Sequence, residues 1–322
     1  MKISSRSYES GDEYPILDLF KQVFKREMSL EFWRWRFVNN PFGKAVIRLS
    51  FDASKLVGHY AVIPMNVQVQ GKSTKAALSM TTMVHQDYRG SGIFTNLAQE
   101  SYKAAAERGT EFVFAFPNEN SYYPFIKMLG WKGFGKMSIL EKDVETNYTE
   151  NASEIDVHQI ERFDSRTDLL WDKVKQRYPV IVPRTRQFLN WRFVQSPDET
   201  YTKFVVGNNE ELLGYVVLKV YVAPTGGKGH IVDMLTVEDE AVVRKLLRRT
   251  YSYFTAQGIN NISCWCQDNS FYAHILEAEG FSRKEMEGTY FGIKILDGRS
   301  DLLKSVESFP NWFLSMGDSD VF

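Results

Sequence analysis

Apolar residues along the chain follow two different spacings. From Tyr14 to Phe24 they fall at Ile16, Leu17, Phe20, Val23 and Phe24, which is one face of a helix. The runs Val46–Leu49, Val57–Ile63 and Val67–Gln70 read instead as strands, with Gly71-Lys72 as a hairpin turn before another strand at Ala76–Val84. Ile93 to Arg108 predicts a helix with Leu97, Ala98, Ala105 and Ala106 on or near one face and Gly109 as its stop. Glu111–Phe116 reads as a strand, and Pro124–Leu129 as a short helix closed by Gly130. Helix, antiparallel strands, helix, strand, helix, strand is the order of an α/β (α+β) fold, a mixed central sheet flanked by helices.

The pattern occurs twice. Phe32-Trp33-Arg34-Trp35-Arg36-Phe37-Val38 is echoed by Phe188-Leu189-Asn190-Trp191-Arg192-Phe193-Val194, an offset of 188 − 32 = 156. Asn120-Ser121-Tyr122-Tyr123 is echoed by Asn269-Ser270-Phe271-Tyr272, an offset of 269 − 120 = 149, and the stretches that follow end in Gly130-Trp131 and Gly280-Phe281. Two echoes in one order predict a tandem duplication. The polar stretch Glu145–Glu154 lacks apolar periodicity and reads as the link. The expected organisation is a first domain at 1–144, a linker at 145–159 and a second domain at 160–322. Trp35-Arg36 and Trp191-Arg192 stand in both copies and predict a core aromatic beside an ion pair. Asn118, Asn120 and Asn269 read as helix caps.

Composition narrows the classes. A chain of 322 residues, 43% of them hydrophobic, can bury a core in each half. The net charge of −1 gives no global field for nucleic acid. Cys264 and Cys266 are too few and too close for a disulfide framework or a four-ligand zinc site, so buried thiols and no metal are expected. The start MKISSRSYESGDEYP has no apolar signal core, and no run approaches the roughly 18 apolar residues of a membrane helix. A reduced cytoplasm is the expected compartment.

The candidate chemistry lies in Val84-His85-Gln86-Asp87-Tyr88-Arg89-Gly90-Ser91-Gly92-Ile93-Phe94, between a strand and a helix. Gly90 and Gly92 permit a tight turn and close approach of a ligand. Free amides of the first helical turn, the helix dipole and Arg89 suit a pyrophosphate. This strand, loop and helix resemble motif A of the GNAT N-acyltransferases, Gln/Arg-x-x-Gly-x-Gly/Ala. Arg89 and Gly92 match its first and fourth positions, whereas Phe94 stands where a small residue is usual and Gln86 where proline is common. The following strand and Leu129-Gly130-Trp131 resemble motif B. The resemblance carries motifs over about residues 10–142 and rests on element order alone over about 160–296. It implies acyl-CoA as co-substrate, held by Met83, Val84, His85, Arg89, Gly90, Ser91, Gly92, Ile93, Phe94 and Asn120. In the second copy His230–Thr236 leads into Val237-Glu238-Asp239-Glu240, without glycine and with three carboxylates. Only the first copy is therefore expected to bind the coenzyme.

In the family a backbone N–H of the motif A strand, here within Met83–His85, polarises the thioester carbonyl. A tyrosine often stands four residues before the motif B glycine, but here that position is Ile126. Tyr123, one turn earlier, is the candidate acid. No carboxylate lies between Asp52 and Asp87, so His59 and Asp233 are the candidate bases, with a desolvated amine and a water relay as the alternative needing neither. Ser79 and Thr81 are candidate substrate contacts. The phrasing Gly58-His59-Tyr60-Ala61-Val62-Ile63-Pro64 with Met83-Val84-His85 resembles bacterial GNATs encoded with surface-polysaccharide genes, the anthrose-pathway acyltransferase being a tandem example. That resemblance implies a nucleotide-linked amino sugar as acceptor. A peptide, protein or other small amine remains open, as does a non-catalytic CoA-binding regulator.

Overall fold

A computed structural model describes residues 3–145, 157–223, 226–268, 270–298 and 301–322. The first copy contains β1 (Ile3–Ser7), α1 (Glu13–Phe24), α2 (Leu30–Phe37), β2 (Val46–Asp52), β3 (Lys55–Val69), β4 (Lys72–Val84), α3 (Ile93–Glu107), β5 (Phe112–Ala115), α4 (Glu119–Tyr123) and β6 (Lys132–Asp143). The second contains β7 (Val157–Ile160), α5 (Ser165–Val174), β8 (Val180–Ile181), α6 (Arg186–Phe193), β9 (Thr202–Gly207), β10 (Leu212–Ala223), β11 (Gly226–Thr236), α7 (Glu240–Ala256), β12 (Asn261–Trp265), α8 (Phe271–Ala278), β13 (Ser282–Ile295) and β14 (Trp312–Phe313).

The chain forms two compact units, and neither is one continuous stretch. Unit 1 is residues 1–135, 196–198 and 288–307; unit 2 is 136–195, 199–287 and 308–322. In unit 1 the strand order is β1-β2-β3-β4-β5-β13, with β4 and β5 parallel and the other pairs antiparallel. The last strand comes from the second copy: Gly292–Ile295 pair with Ala115–Phe112. Unit 2 repeats the plan as β7-β9-β10-β11-β12-β6, with β11 and β12 parallel, and its last strand comes from the first copy. Each copy thus supplies the closing strand of the other's unit. Most of the linker expected at 145–159, like Asn269, lies outside the described residues.

The repeated heptad is α2 in unit 1 and α6 in unit 2. Ser29 caps the first by accepting from the Phe32 amide at 3.0 Å, and Thr185 caps the second from Phe188 at 3.3 Å. Arg36 and Arg192, the arginines shared by the two heptads, are buried beside aromatic rings. Arg36 lies over the Trp35 ring at 4.6 Å. Arg192 donates to the Tyr201 hydroxyl at 2.7 Å and to the carbonyls of Gly317, Ser319 and Phe322.

In unit 1 both α3 and α1 pack on β3 and β4. Tyr60 and Val62 pack with Leu97, Ala98, Tyr102, Phe125 and Trp131 on the α3 side. Gly58 sets how near α3 comes: a Cβ there would lie 2.5 Å from Ile93 and 3.0 Å from Leu97. Val57–Ile63 and Val67–Gln70 turn out to be parts of one long strand, β3, running through Pro64.

Candidate active site

β4 reaches the site with a defect built into it. Ala61 pairs with Met80 but His59 with Met83, so β4 carries one extra residue. Thr81 sits there at φ 51°. β4 pairs with β5 only over Ala76–Leu78 against Phe112–Phe114. Beyond that point β4 stays with β3 as far as Val84 and leaves β5, opening a slot at the carboxyl ends of two parallel strands. The His85 amide donates to the Val57 carbonyl at 2.9 Å. By the alternation of an antiparallel ladder, the Met83 amide also faces β3 and the Val84 amide faces away, into the slot. Of Met83, Val84 and His85, Val84 therefore carries the free donor.

The chain next makes a single 3₁₀ turn, Gln86–Tyr88, and then the glycine loop. Tyr88 anchors it: its hydroxyl donates to Asp52 at 2.9 Å, His85 packs on it edge-on at 5.6 Å, and its carbonyl accepts from the Ser91 hydroxyl at 2.5 Å. Gly90 and Gly92 take φ 77° and 83°, a conformation closed to most side chains. Gly92 is the N-cap of α3 and contributes no side chain to it; the first intrahelical bond runs from Asn96 N to Gly92 O. The amides of Ile93, Phe94 and Thr95 thus keep their donors free at the positive end of a 15-residue helix. Arg89 is exposed and, among the described residues, pairs with no carboxylate. These groups form a cradle for a polyanion beside the slot. Phe94 is bulky because it packs on Tyr60 at 5.7 Å and Phe125 at 5.5 Å. A polar groove of about 330 Å³ runs along α3 past Ser5, Ser50 and Asn96, and of the loop and helix-start residues only Ser91 and Ile93 line it.

Several expected contacts fall elsewhere. Ser79 is buried and its hydroxyl donates to Tyr60, in a chain that continues through Tyr102 to the Trp131 indole, so it is engaged inside the core. Thr81 is the bulge residue, not the strand partner of Ser79 on a shared face. Asn118, not Asn120, caps α4, in a box with Ser121, and Asn120 is exposed. Tyr123 is 66% exposed at the end of α4. Its neighbour Tyr122 turns inward and stacks on Tyr290 at 4.1 Å. Pro124–Met128 forms a π-turn that carries Ile126 onto the core. His59 is buried and its Nδ1 lies 2.8 Å from the Thr81 carbonyl; burial pushes the imidazole down to about 4.

Asp233 is not placed to receive a proton from an amine. It is 1% exposed, accepts from Arg184 at 3.1 Å and from the Tyr215 hydroxyl at 2.7 Å, and Arg184 also binds Asp318 at 2.7 Å. An aspartate inside an apolar strand needs such partners, and the fold supplies them. β11 leaves β12 after Ile231–Cys264, as β4 leaves β5, but in unit 2 the gap is filled. Phe313, Leu314 and Ser315 line it together with Asp233, Cys266 and Tyr272, leaving about 30 Å³. The start of α7 is also taken: the Asp239 carboxylate accepts from the Ala241 amide at 2.8 Å, where Gly92 leaves α3 bare. Both cysteines are free thiols, and burial pushes Cys266 up to about 11.

Residues 4–133 match the model of an acetyltransferase (GNAT) domain. The first half of the chain carries a GNAT acetyltransferase domain. A domain of this kind is an acyl-CoA-dependent acyltransferase, and the cradle and slot of unit 1 lie within the matched residues. No curated protein matches the chain in sequence. Among solved structures it is similar to a GCN5-related N-acetyltransferase from Anabaena variabilis, at 13% identity and TM-score 0.68, over 92% of this chain and 73% of that one. A conserved Enterococcus faecalis protein described as a probable N-acyltransferase gives 14%, TM-score 0.71, and the same 92% and 73%. A GCN5-related N-acetyltransferase from Kribbella flavida gives 13%, TM-score 0.68, 92% and 71%. At such identities these likenesses speak for the fold, over nearly the whole chain.

Proposed function

We propose that this GNAT protein transfers an acyl group from acyl-CoA to an amine, and that the amine is the amino group of a nucleotide-linked amino sugar. The observation that carries the transfer is the Arg89–Gly92 cradle opening beside the free Val84 amide. The acceptor class rests on the resemblance of Gly58–Pro64 and Met83–His85 to acyltransferases of surface-polysaccharide clusters.

The amine nitrogen attacks the thioester carbonyl carbon. A C–N bond forms, the carbonyl oxygen takes up negative charge opposite the Val84 N–H, and the C–S bond then breaks. One preorganised donor at such an oxygen is worth about 10²–10³ in rate. The nitrogen must lose a proton and the thiolate must gain one. With Tyr123 in solvent and His59 closed off, we assign this transfer to the substrate's own ammonium proton, carried by water.

The test is release of free thiol from acetyl-CoA with a panel of nucleotide amino sugars, free amino sugars, peptides and small amines. Saturable release with the nucleotide amino sugars is expected. Release with peptides alone would move the acceptor class, and CoA binding with no release for any amine would favour a regulator. In the same assay Tyr123→Phe should leave the rate within about twofold. A fall of tenfold or more at unchanged CoA affinity would make Tyr123 the acid.

A further inference from the structure

The bulge that opens the acyl slot is a costly piece of backbone. Thr81 is β-branched and sits at φ 51°, where such residues are rarely found; strain of this kind costs about 1–3 kcal/mol and persists only where the surroundings hold it. An extra residue in a ladder also leaves a carbonyl without a strand partner. At this bulge the Thr81 carbonyl meets the His59 ring, with Nδ1 at 2.8 Å. A carbonyl oxygen can only accept, so Nδ1 must carry the hydrogen. Nε2 is then a bare lone pair, buried and without a partner among the described residues. The ring is fixed from the other side by Phe37, edge-on at 6.1 Å, and stands in register with Leu49 and Met83 on neighbouring strands.

We infer that His59 is a positioning residue: its Nδ1–H staples the Thr81 carbonyl, holds the bulge of β4, and so aims the Val84 amide into the slot. This rests on the acyltransferase reading for its kinetic consequence, though not for the hydrogen bond itself. Val84 is the third residue after Thr81, and the bulge sets its phase against β3, so a slip there would turn the free amide toward β3. Because burial holds the imidazole far below neutrality, the ring is uncharged and keeps one proton at every working pH. In unit 2 the bulge of β11 lies between the pairs Leu218–Ile231 and Val217–Asp233, and the polar group held there is the Asp233 side chain.

Two near-isosteric substitutions separate the two nitrogens. The Asn side chain places an NH₂ where Nδ1 stands, whereas Gln places its amide where Nε2 stands. His59→Asn should keep kcat within about threefold of the parent. His59→Gln should lower kcat about ten- to a hundredfold, the scale on which misplaced catalytic groups act, while the dissociation constant of CoA stays unchanged. The opposite ranking would make Nε2 the working atom and His59 a base. Equal activity in both variants would show that the bulge stands without the staple. The parent protein supplies a readout that needs no amine and no variant. A long-range proton–nitrogen spectrum of the His59 ring should show the Nδ1–H tautomer from pH 6 to 9, and an Nε2–H tautomer would overturn the inference even if the variants fold poorly. Thiol release failing for every amine while the Nδ1–H signal is present would count against the proposed reaction and leave the staple intact.

Discussion

A chain ending at residue 144 is expected to be insoluble when made alone, and to be recovered in solution when made together with residues 145–322. Unit 1 takes residues 288–307 from the second copy, so the shortened chain leaves the β5 edge, Phe112–Ala115, without its antiparallel partner. It also loses Phe291 and Ile293, which are 0% and 1% exposed. Each such side chain contributes about 1.5–3 kcal/mol on burial, and a bare apolar edge invites pairing with other chains. Against the roughly 5–15 kcal/mol that holds a domain together, that loss is decisive. The second fragment carries β13 and lacks β6, so each piece brings what the other is missing. The check is the soluble fraction after centrifugation and co-purification of the two pieces on a tag borne by one. A soluble 1–144 fragment that melts cooperatively by itself would contradict the exchange.

Asp233→Ala should lower the melting temperature by about 6–20 °C. Arg184 stays paired with Asp318, but the buried Tyr215 hydroxyl and the Arg184 Nε lose their acceptor, at about 1–3 kcal/mol each, and a cavity is left beside them. A domain of this size shifts about 2–4 °C per kcal/mol. Arg184 is completely buried and holds Asp233, Asp318 and the Ser315 hydroxyl together, so the loss falls on β11 and on the segment Trp312–Asp318 at once. CoA affinity should be unchanged, since the cradle belongs to unit 1. A variant with the parent's melting temperature but slow turnover would return Asp233 to the chemistry.

Local structure was largely legible from residue order. The stripe from Tyr14 to Phe24 predicts a helix, and α1 is Glu13–Phe24. The duplicated heptad marks α2 and α6, and Gly90 and Gly92 mark a loop whose left-handed backbone needs them. What escaped depends on partners remote in sequence. Nothing in the local pattern of Ser282–Ile295 says which strand it pairs with, so the exchange of β6 and β13 leaves no local trace. Asp233 reads as an anomaly in an apolar run, yet its partner Arg184 lies 49 residues away, and Arg184 in turn is 134 residues from Asp318. Thr81 carries no mark of its positive φ, because the bulge it belongs to exists only in the pairing of β4 with β3, where His59 meets its carbonyl. Gly58 did carry a signal: a glycine inside a strand run points to close approach, here of α3.

The central claim is that one polyanion cradle, at the start of α3, binds acyl-CoA, while its counterpart at α7 is closed by the chain's own carboxylate. Gly92→Asp tests it directly, because it puts a carboxylate at the N-cap of α3, the place that Asp239 takes at α7. Asp tolerates the left-handed backbone better than most residues, and a Cβ there meets nothing within 4 Å, so the fold should survive. The measurement is calorimetric titration with CoA, alongside thermal melting. One site per chain is expected in the parent, and in Gly92→Asp no measurable binding with a cooperative melt lowered by about 2–8 °C, the strain of a side chain at a left-handed position being about 1–2 kcal/mol. Two sites per chain, or binding that survives the substitution, would contradict it.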